Sequence, residues 1–213
     1  VKEFVICAGH KGDIIRDYFI QYGAYRSNLK ISYSENGTDV RLSPREPLED
    51  WVVHIIETGE LTQTGGRILA AKEVLGGGEF IITYGDGIAN VDIARVAKTH
   101  RDNGSVLTLS TAKPRNRFGV LEVKEDGIVS SFEEKPQGKE LVNIGYMVAN
   151  SDLFNYLAPN SVFEAEPMRA IMSAGLLSAV PHTGFWQPMD TPSELESLNK
   201  LWASGSAPWV NWI

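Results

Sequence analysis

The sequence predicts an α/β domain built on a largely parallel sheet, and three observations predict it. Apolar runs of strand length alternate with helical stripes through the first half of the chain. The 213 residues, 43% of them hydrophobic, suffice for one sizeable core with room for a small appended lobe. The run Phe80-Ile81-Ile82-Thr83 breaks at Tyr84-Gly85-Asp86-Gly87, so a buried strand ends by delivering one carboxylate between two glycines. Ligands of open α/β sheets bind beyond the carboxyl ends of the strands, and Asp86 stands at that edge.

The elements follow in order. Residues 3–8 form a buried strand, 9–12 a turn, and a helix follows with Ile14, Ile15, Tyr18, Phe19 and Tyr22 on one stripe and Gly23 as its stop. Residues 29–33 alternate as a strand, 34–50 are polar and irregular, and 51–56 are again a strand. Gly65-Gly66 opens a helix that runs through Leu75 to Gly76-Gly77-Gly78. After the Asp86 strand comes a helix over 93–102. From Ser105 onward strands dominate: 105–111, then 119–123 and 128–133 around the hairpin turn Glu125-Asp126-Gly127, then 141–149. Asn150-Ser151 caps a short helix and 166–173 forms another. The last helix is the best marked, because Thr191-Pro192-Ser193-Glu194 is a capping box with proline at the first helical position. Its start places Asp190 reproducibly. The whole chain reads as one domain, in which strands and helices alternate through residue 104 and strands dominate over 105–213 before the last helix.

Composition narrows the function. Net charge is −7 without any dense Lys/Arg run, which argues against nucleic acid as a partner. No apolar run approaches the ~20 residues that cross a bilayer, so a membrane is not expected either. The single cysteine, Cys7, lies in an apolar run, and the four histidines at 10, 54, 100 and 182 have no zinc-type pairing. These features favour a cytoplasmic protein. An acidic chain that binds a phosphorylated ligand needs local cations, helix N-termini or a metal to offset repulsion.

Several residues suit that chemistry. Asp86 and Asp190 each end an extended segment, and if they converge they can hold one Mg²⁺ against a triphosphate; singly, each also serves as a turn or cap residue. Thr64-Gly65-Gly66-Arg67 precedes a helix, with glycines that admit a flat ligand or phosphate and an arginine that adds a planar donor, or is simply a loop and helix start. In Glu133-Glu134-Lys135-Pro136, the proline stops a strand and holds Lys135 extended, ready to meet a phosphate, while Glu134 accepts from sugar hydroxyls; an exposed charged hairpin end reads the same way. Arg117-Phe118-Gly119 and Asn143-Ile144-Gly145 place glycines at or in strands, where a ligand or packing demands close approach. Gly184-Phe185-Trp186 can floor a pocket, although Phe185 suits the core.

Together these motifs, in this order and ending in Gln187-Pro188-Met189-Asp190-Thr191, resemble the sugar-nucleotide pyrophosphorylases over essentially the whole chain. Within that family they are most similar to the glucose-1-phosphate cytidylyltransferases, whose C-terminus Ala207-Pro208-Trp209 also resembles. The resemblance implies a three-layer nucleotide-binding domain with a mixed, mainly parallel sheet, Rossmann-like in the nucleotidyltransferase manner. It implies direct in-line attack of glucose 1-phosphate on CTP, giving CDP-glucose and pyrophosphate. Asp86 and Asp190 would hold Mg²⁺ and Lys135 would contact the sugar phosphate. Gly65, Gly66 and Arg67 would face the cytosine end, with Thr64, Tyr84, Gly85 and Trp186 also in the substrate site. Gly119, Glu134, Asn143 and Gly145 would line the hexose site, which makes residues 1–104 the nucleotide-binding part and 105–213 the sugar-binding part. A homo-oligomer serving surface-polysaccharide biosynthesis is implied as well. The family's Gly-Gly-x-Gly-Thr-Arg loop and its following lysine have no counterpart between Val1 and Ile213. The first strand therefore corresponds to the family's second, and the natural polypeptide is expected to begin earlier or to be a truncated relative. That departure keeps a second reading open, a non-catalytic sugar-nucleotide-binding module, together with a relative that uses another nucleotide or sugar.

Overall fold

A computed structural model describes residues 1–114, 118–138 and 140–210. Arg117, the first residue of one motif above, lies outside them. The chain forms two compact units, Val1–Gly76 with Phe154–Arg169, and Gly77–Leu153 with Ala170–Ile213. The division expected at residue 104 falls inside the second of these.

In the first unit, strand β1 (Glu3–Ala8) is followed by helices α1 (Gly12–Ile20) and α2 (Tyr22–Tyr25), strands β2 (Ser27–Ser34), β3 (Gly37–Pro44) and β4 (Val52–Glu57), and helices α3 (Thr64–Ala70) and α4 (Lys72–Leu75). β1 and β4 pair in parallel from Glu3↔Val52 to Ala8↔Glu57. Gly23 does not stop the first helix, because the break falls earlier, at Gln21 (φ −92, ψ 0). The helix expected through Leu75 is interrupted at Ala71 and ends at Gly76, whose φ of 64 suits a residue without a Cβ. The stretch expected to be irregular contains β3, paired antiparallel with β2 from Ser27↔Pro44 to Ser34↔Gly37. Its local signals are the Asn36-Gly37 turn, with Gly37 at φ 123, and the alternation of Val40 and Leu42 with Asp39 and Arg41.

The second unit contains β5 (Glu79–Thr83), β6 (Gly87–Ala89), helix α5 (Ile93–Asp102), β7 (Leu107–Ala112), β8 (Val120–Val123), β9 (Val129–Glu133) and β10 (Val142–Asn150). A 3-10 turn over Ser151–Tyr156 and helix α6 (Glu166–Ser173) lead out of and back into it, and β11 (Leu177–Pro181), β12 (Trp186–Pro188) and helix α7 (Pro192–Ala203) complete it. The main sheet runs β11-β7-β10-β5. It is mixed, as expected, but less parallel: β11 runs with β7, whereas β10 runs against both neighbours. Of seven pairings among the described strands, five are antiparallel, since hairpins β2–β3 and β8–β9 need no crossover. β6 and β12, with three residues each, are too short to show a periodicity.

α5 lies on this sheet. Asp92 caps it by accepting from the Arg95 N–H at 3.0 Å, and Val96 packs into a buried cluster with Val148 and Val180. His100 on the same helix is buried, with Nδ1 3.1 Å from Thr108 Oγ1. Burial pushes its pKa below the ordinary 6.5 and outweighs the nearby Glu79 carboxylate. Below about pH 6.5 the unfolded chain therefore binds a proton that the folded chain resists. His100 contributes stability above that pH and loses it as pH falls toward the depressed folded value. Denaturant unfolding between pH 8 and pH 5 should show a loss toward acid that His100→Gln lacks; an unchanged slope in that variant would assign the loss elsewhere.

Candidate active site

The Asp86 and Asp190 segments are brought together by a ribbon inside the second unit. β6 and β12 pair antiparallel through Gly87↔Pro188, Ile88↔Gln187 and Ala89↔Trp186. One step further, the Met189 N–H donates to the Asp86 carbonyl at 2.7 Å. Asp86 and Asp190 therefore leave the same end of one ribbon, both exposed. The expected capping box then fixes the Asp190 backbone. Glu194 Oε2 accepts from the N–H groups of Asp190 (3.0 Å) and Thr191 (2.8 Å), and the Glu194 N–H donates to Thr191 Oγ1. No group of three or more His, Cys, Asp or Glu side chains converges among the described residues. The ribbon thus offers two carboxylates, which fits Mg²⁺, an ion commonly held by one or two carboxylates with phosphate oxygens and waters completing its octahedron.

β10 supports the ribbon from one side. Its register shifts between Asn143 and Met147, a bulge of the kind that re-aims side chains beside active sites. Asn143 Oδ1 accepts from the Gly145 N–H at 3.0 Å, and Tyr84 N–H donates to the Gly145 carbonyl. Gly145 has φ 80, and a Cβ there would lie 2.6 Å from the Tyr84 ring, so only glycine fits. The Tyr146 hydroxyl donates to the Gly87 carbonyl at 2.8 Å, and burial pushes its pKa up. Tyr146 carried no sequence signal, since its partner is 59 residues away. Trp186 stands across the ribbon near Gly87: its Nε1 would lie 3.7 Å from a Cβ placed there. Gly85 is exposed at the turn, with open space where a Cβ would stand.

β8 and β9 carry the remaining hexose candidates. A Cβ on Gly119 would lie 2.6 Å from the Phe132 ring and 2.9 Å from Glu134 Oε2, so glycine lets Glu134 fold across this hairpin. Lys135 is exposed, with Nζ 3.9 Å from Glu134 Oε1. It is not extended as expected. Its φ is 48, in the left-handed region, because the β9 ladder ends at Glu133 and the chain bends before Pro136 is reached. Such a conformation costs on the order of 1–3 kcal/mol for a residue with a Cβ.

The Thr64-Gly65-Gly66-Arg67 motif is in the first unit, and its own chain occupies most of its contacts. Thr64 Oγ1 donates to Glu164 Oε2 (2.7 Å) and accepts from the Phe163 N–H (2.9 Å). Both glycines are buried. A Cβ on Gly65 would lie 2.8 Å from the Ser161 carbonyl oxygen, and one on Gly66 would overlap that of Pro159. Arg67 donates to Thr58 Oγ1 (2.6 Å) and to the Glu60 carbonyl (3.1 Å) across the backbone of Gly9. The expected openness of the glycines toward a ligand is therefore corrected: their Cα faces are filled by residues 159–161, and the guanidinium ties down the segment after β4.

The nucleotidyl transferase family model matches residues 16–189. The chain belongs to this family. It is also 37% identical to a glucose-1-phosphate cytidylyltransferase of Salmonella typhimurium (strain LT2), over all of this chain and 82% of that one. The glucose-1-phosphate cytidylyltransferase of Salmonella typhi matches equally, at 37% with the same coverage. The crystal structure of HddC from Yersinia pseudotuberculosis shares the fold, with a TM-score of 0.63 over 95% of this chain and 79% of that one, at 20% identity. The motif resemblance is thereby borne out, and the chain is a nucleotidyltransferase. No helix among its described residues is long and apolar enough to cross a membrane.

Proposed function

We propose that this nucleotidyltransferase moves a cytidylyl group from CTP to glucose 1-phosphate. The similarity of the complete chain to two glucose-1-phosphate cytidylyltransferases carries this reading. A phosphate oxygen of the sugar phosphate attacks the α-phosphorus of CTP, a new P–O bond forms in line as the bond to pyrophosphate breaks, and CDP-glucose results. The chain then supplies alignment and charge neutralisation, without a covalent intermediate. Mg²⁺, when bound, offsets triphosphate charge, and Asp86 and Asp190 are the residues to hold it. Lys135 meets the sugar phosphate, and its turn keeps the ammonium beside Glu134. Glu134, Asn143, Gly145, Gly119 and Trp186 shape the hexose site, next to Tyr84 and Gly85. Thr64, Gly65, Gly66 and Arg67 serve the cytosine end by fixing the start of α3 rather than through the guanidinium, which is already engaged. The assembly is a homo-oligomer working in the cytoplasm.

Pyrophosphate release should be fastest with CTP and glucose 1-phosphate in a panel of CTP, UTP, GTP and dTTP against glucose and mannose 1-phosphates. A faster alternative pair would overturn the assignment. In the same assay Lys135→Ala should raise KM for the sugar phosphate roughly 10- to 100-fold, the worth of a lost charge-assisted contact of about 1.5–3 kcal/mol. An unchanged KM would remove Lys135 from the site.

A further inference from the structure

The ribbon that carries Asp86 and Asp190 is closed at its other end by a residue without a part in the chemistry above. β6 and β12 have three residues each, too few to set their own alignment, and a one-residue slip would turn every side chain to the opposite face. Both ends are pinned. At one end the Met189 N–H reaches the Asp86 carbonyl. At the other, Asn90 adds a step of ladder with main chain and side chain together. Its N–H donates to the Phe185 carbonyl at 3.1 Å, and its Oδ1 accepts from the Phe185 N–H at 2.7 Å.

The side-chain oxygen takes the acceptor role that a strand carbonyl would play, so the chain is free to turn at Val91 and enter α5. Asn90 Nδ2 donates to the Pro208 carbonyl at 3.3 Å, which draws in the tail, and the Trp209 ring centroid lies 5.4 Å from that of Phe185. Phe185 N–H can only donate and the Pro208 carbonyl can only accept, which settles the amide's orientation. Gly184 belongs to the same device, since a Cβ there would overlap Asn90 Oδ1.

The geometry points to Asn90 as a positioning residue that sets the register of Asp86 against Asp190, braced by Pro208 and Trp209. This rests on the reading of the two aspartates as the metal-holding pair. Asn90 acts on them only through the ribbon, with three residues between it and Asp86 and four between Phe185 and Asp190. Its amide has no apolar substitute, because it must accept from one main-chain group and donate to another at once.

Amide hydrogen exchange on the full chain tests the register directly. Asn90→Ala should speed exchange at Phe185 and Met189 by about tenfold while leaving β10 unchanged, the size expected from losing one or two hydrogen bonds at a locally opening ribbon. Asn90→Asp keeps the acceptor and should restore protection at Phe185, and it serves if the alanine variant does not fold. Trp209→Ala should loosen Phe185 alone. Mn²⁺ affinity in the presence of CTP, read from its paramagnetism, should fall about tenfold in Asn90→Ala, with KM for glucose 1-phosphate unchanged. Wild-type exchange at Met189 in Asn90→Ala would overturn the inference. If Asp86→Asn binds Mn²⁺ as well as wild type, the metal assignment fails instead, and exchange at Met189 still decides whether Asn90 sets the register.

Discussion

Asp86→Asn should lower the rate of nucleotidyl transfer by roughly 100- to 1,000-fold while the protein stays folded. Asparagine is isosteric, and the Asp86 main-chain carbonyl that receives the Met189 N–H is untouched. Asp86 is exposed, so the substitution should cost stability no more than about 0.5 kcal/mol. What it removes is one negative charge at the end of the ribbon. Among the described residues the ribbon offers two carboxylates there, so halving the set weakens the hold on the ion and loosens the α-phosphorus in a reaction that depends on alignment. Thermal unfolding beside a pyrophosphate-release assay separates the two effects. A variant that turns over within about fivefold of wild type at ordinary Mg²⁺ would exclude Asp86 from the metal site.

Gly66→Ala is expected to cost about 3 kcal/mol or more through overpacking, without touching the ribbon. The new methyl would overlap the Pro159 carbonyl and lie 2.9 Å from Thr62 Cγ2. The carbonyl is backbone and cannot rotate away as a side chain would, so the 159–161 segment has to move. That strains the Gly65 N–H bond to the Ser161 carbonyl (2.9 Å) and the Phe163 N–H bond to Thr64. For a chain of this size the melting temperature should fall by roughly 6–12 °C. Gly77→Ala is the matched control. Nothing lies within 4 Å of its Cβ position and its φ is not in the left-handed region, so it should stabilise by about 0.4–1 kcal/mol through the unfolded chain. Equal melting temperatures for the two variants would show that the close packing at Gly66 is not enforced.

Much of the fold was legible because its signals are local. The apolar runs at β1, β4 and β5 carry their own strand periodicity, and the α7 start is written in four consecutive residues whose side chains cap one another. The candidate site was legible as motifs in order, with each role resting on family resemblance. The β2–β3 hairpin was passed over although Asn36-Gly37 marks its turn; polar residues on one face of an exposed ribbon masked the alternation. The extended geometry assigned to Lys135 failed because a rule about the residue before proline could not show that the ladder already ends at Glu133.

The sequence by itself determined the helix caps, the longer strands, the order of the motifs and, through them, the family, since each depends on residues a few positions apart or on their identity alone. Tertiary structure decided which segments meet. It set Asp86 against Met189, at the ribbon end from which Asp190 also leaves, seated Tyr146 on Gly87, closed the ribbon with Asn90, and turned the Thr64–Arg67 motif inward against residues 159–164. The reason is physical: β6 and β12 are too short to declare themselves, and they become strands only when hydrogen bonds across about a hundred residues give each a partner.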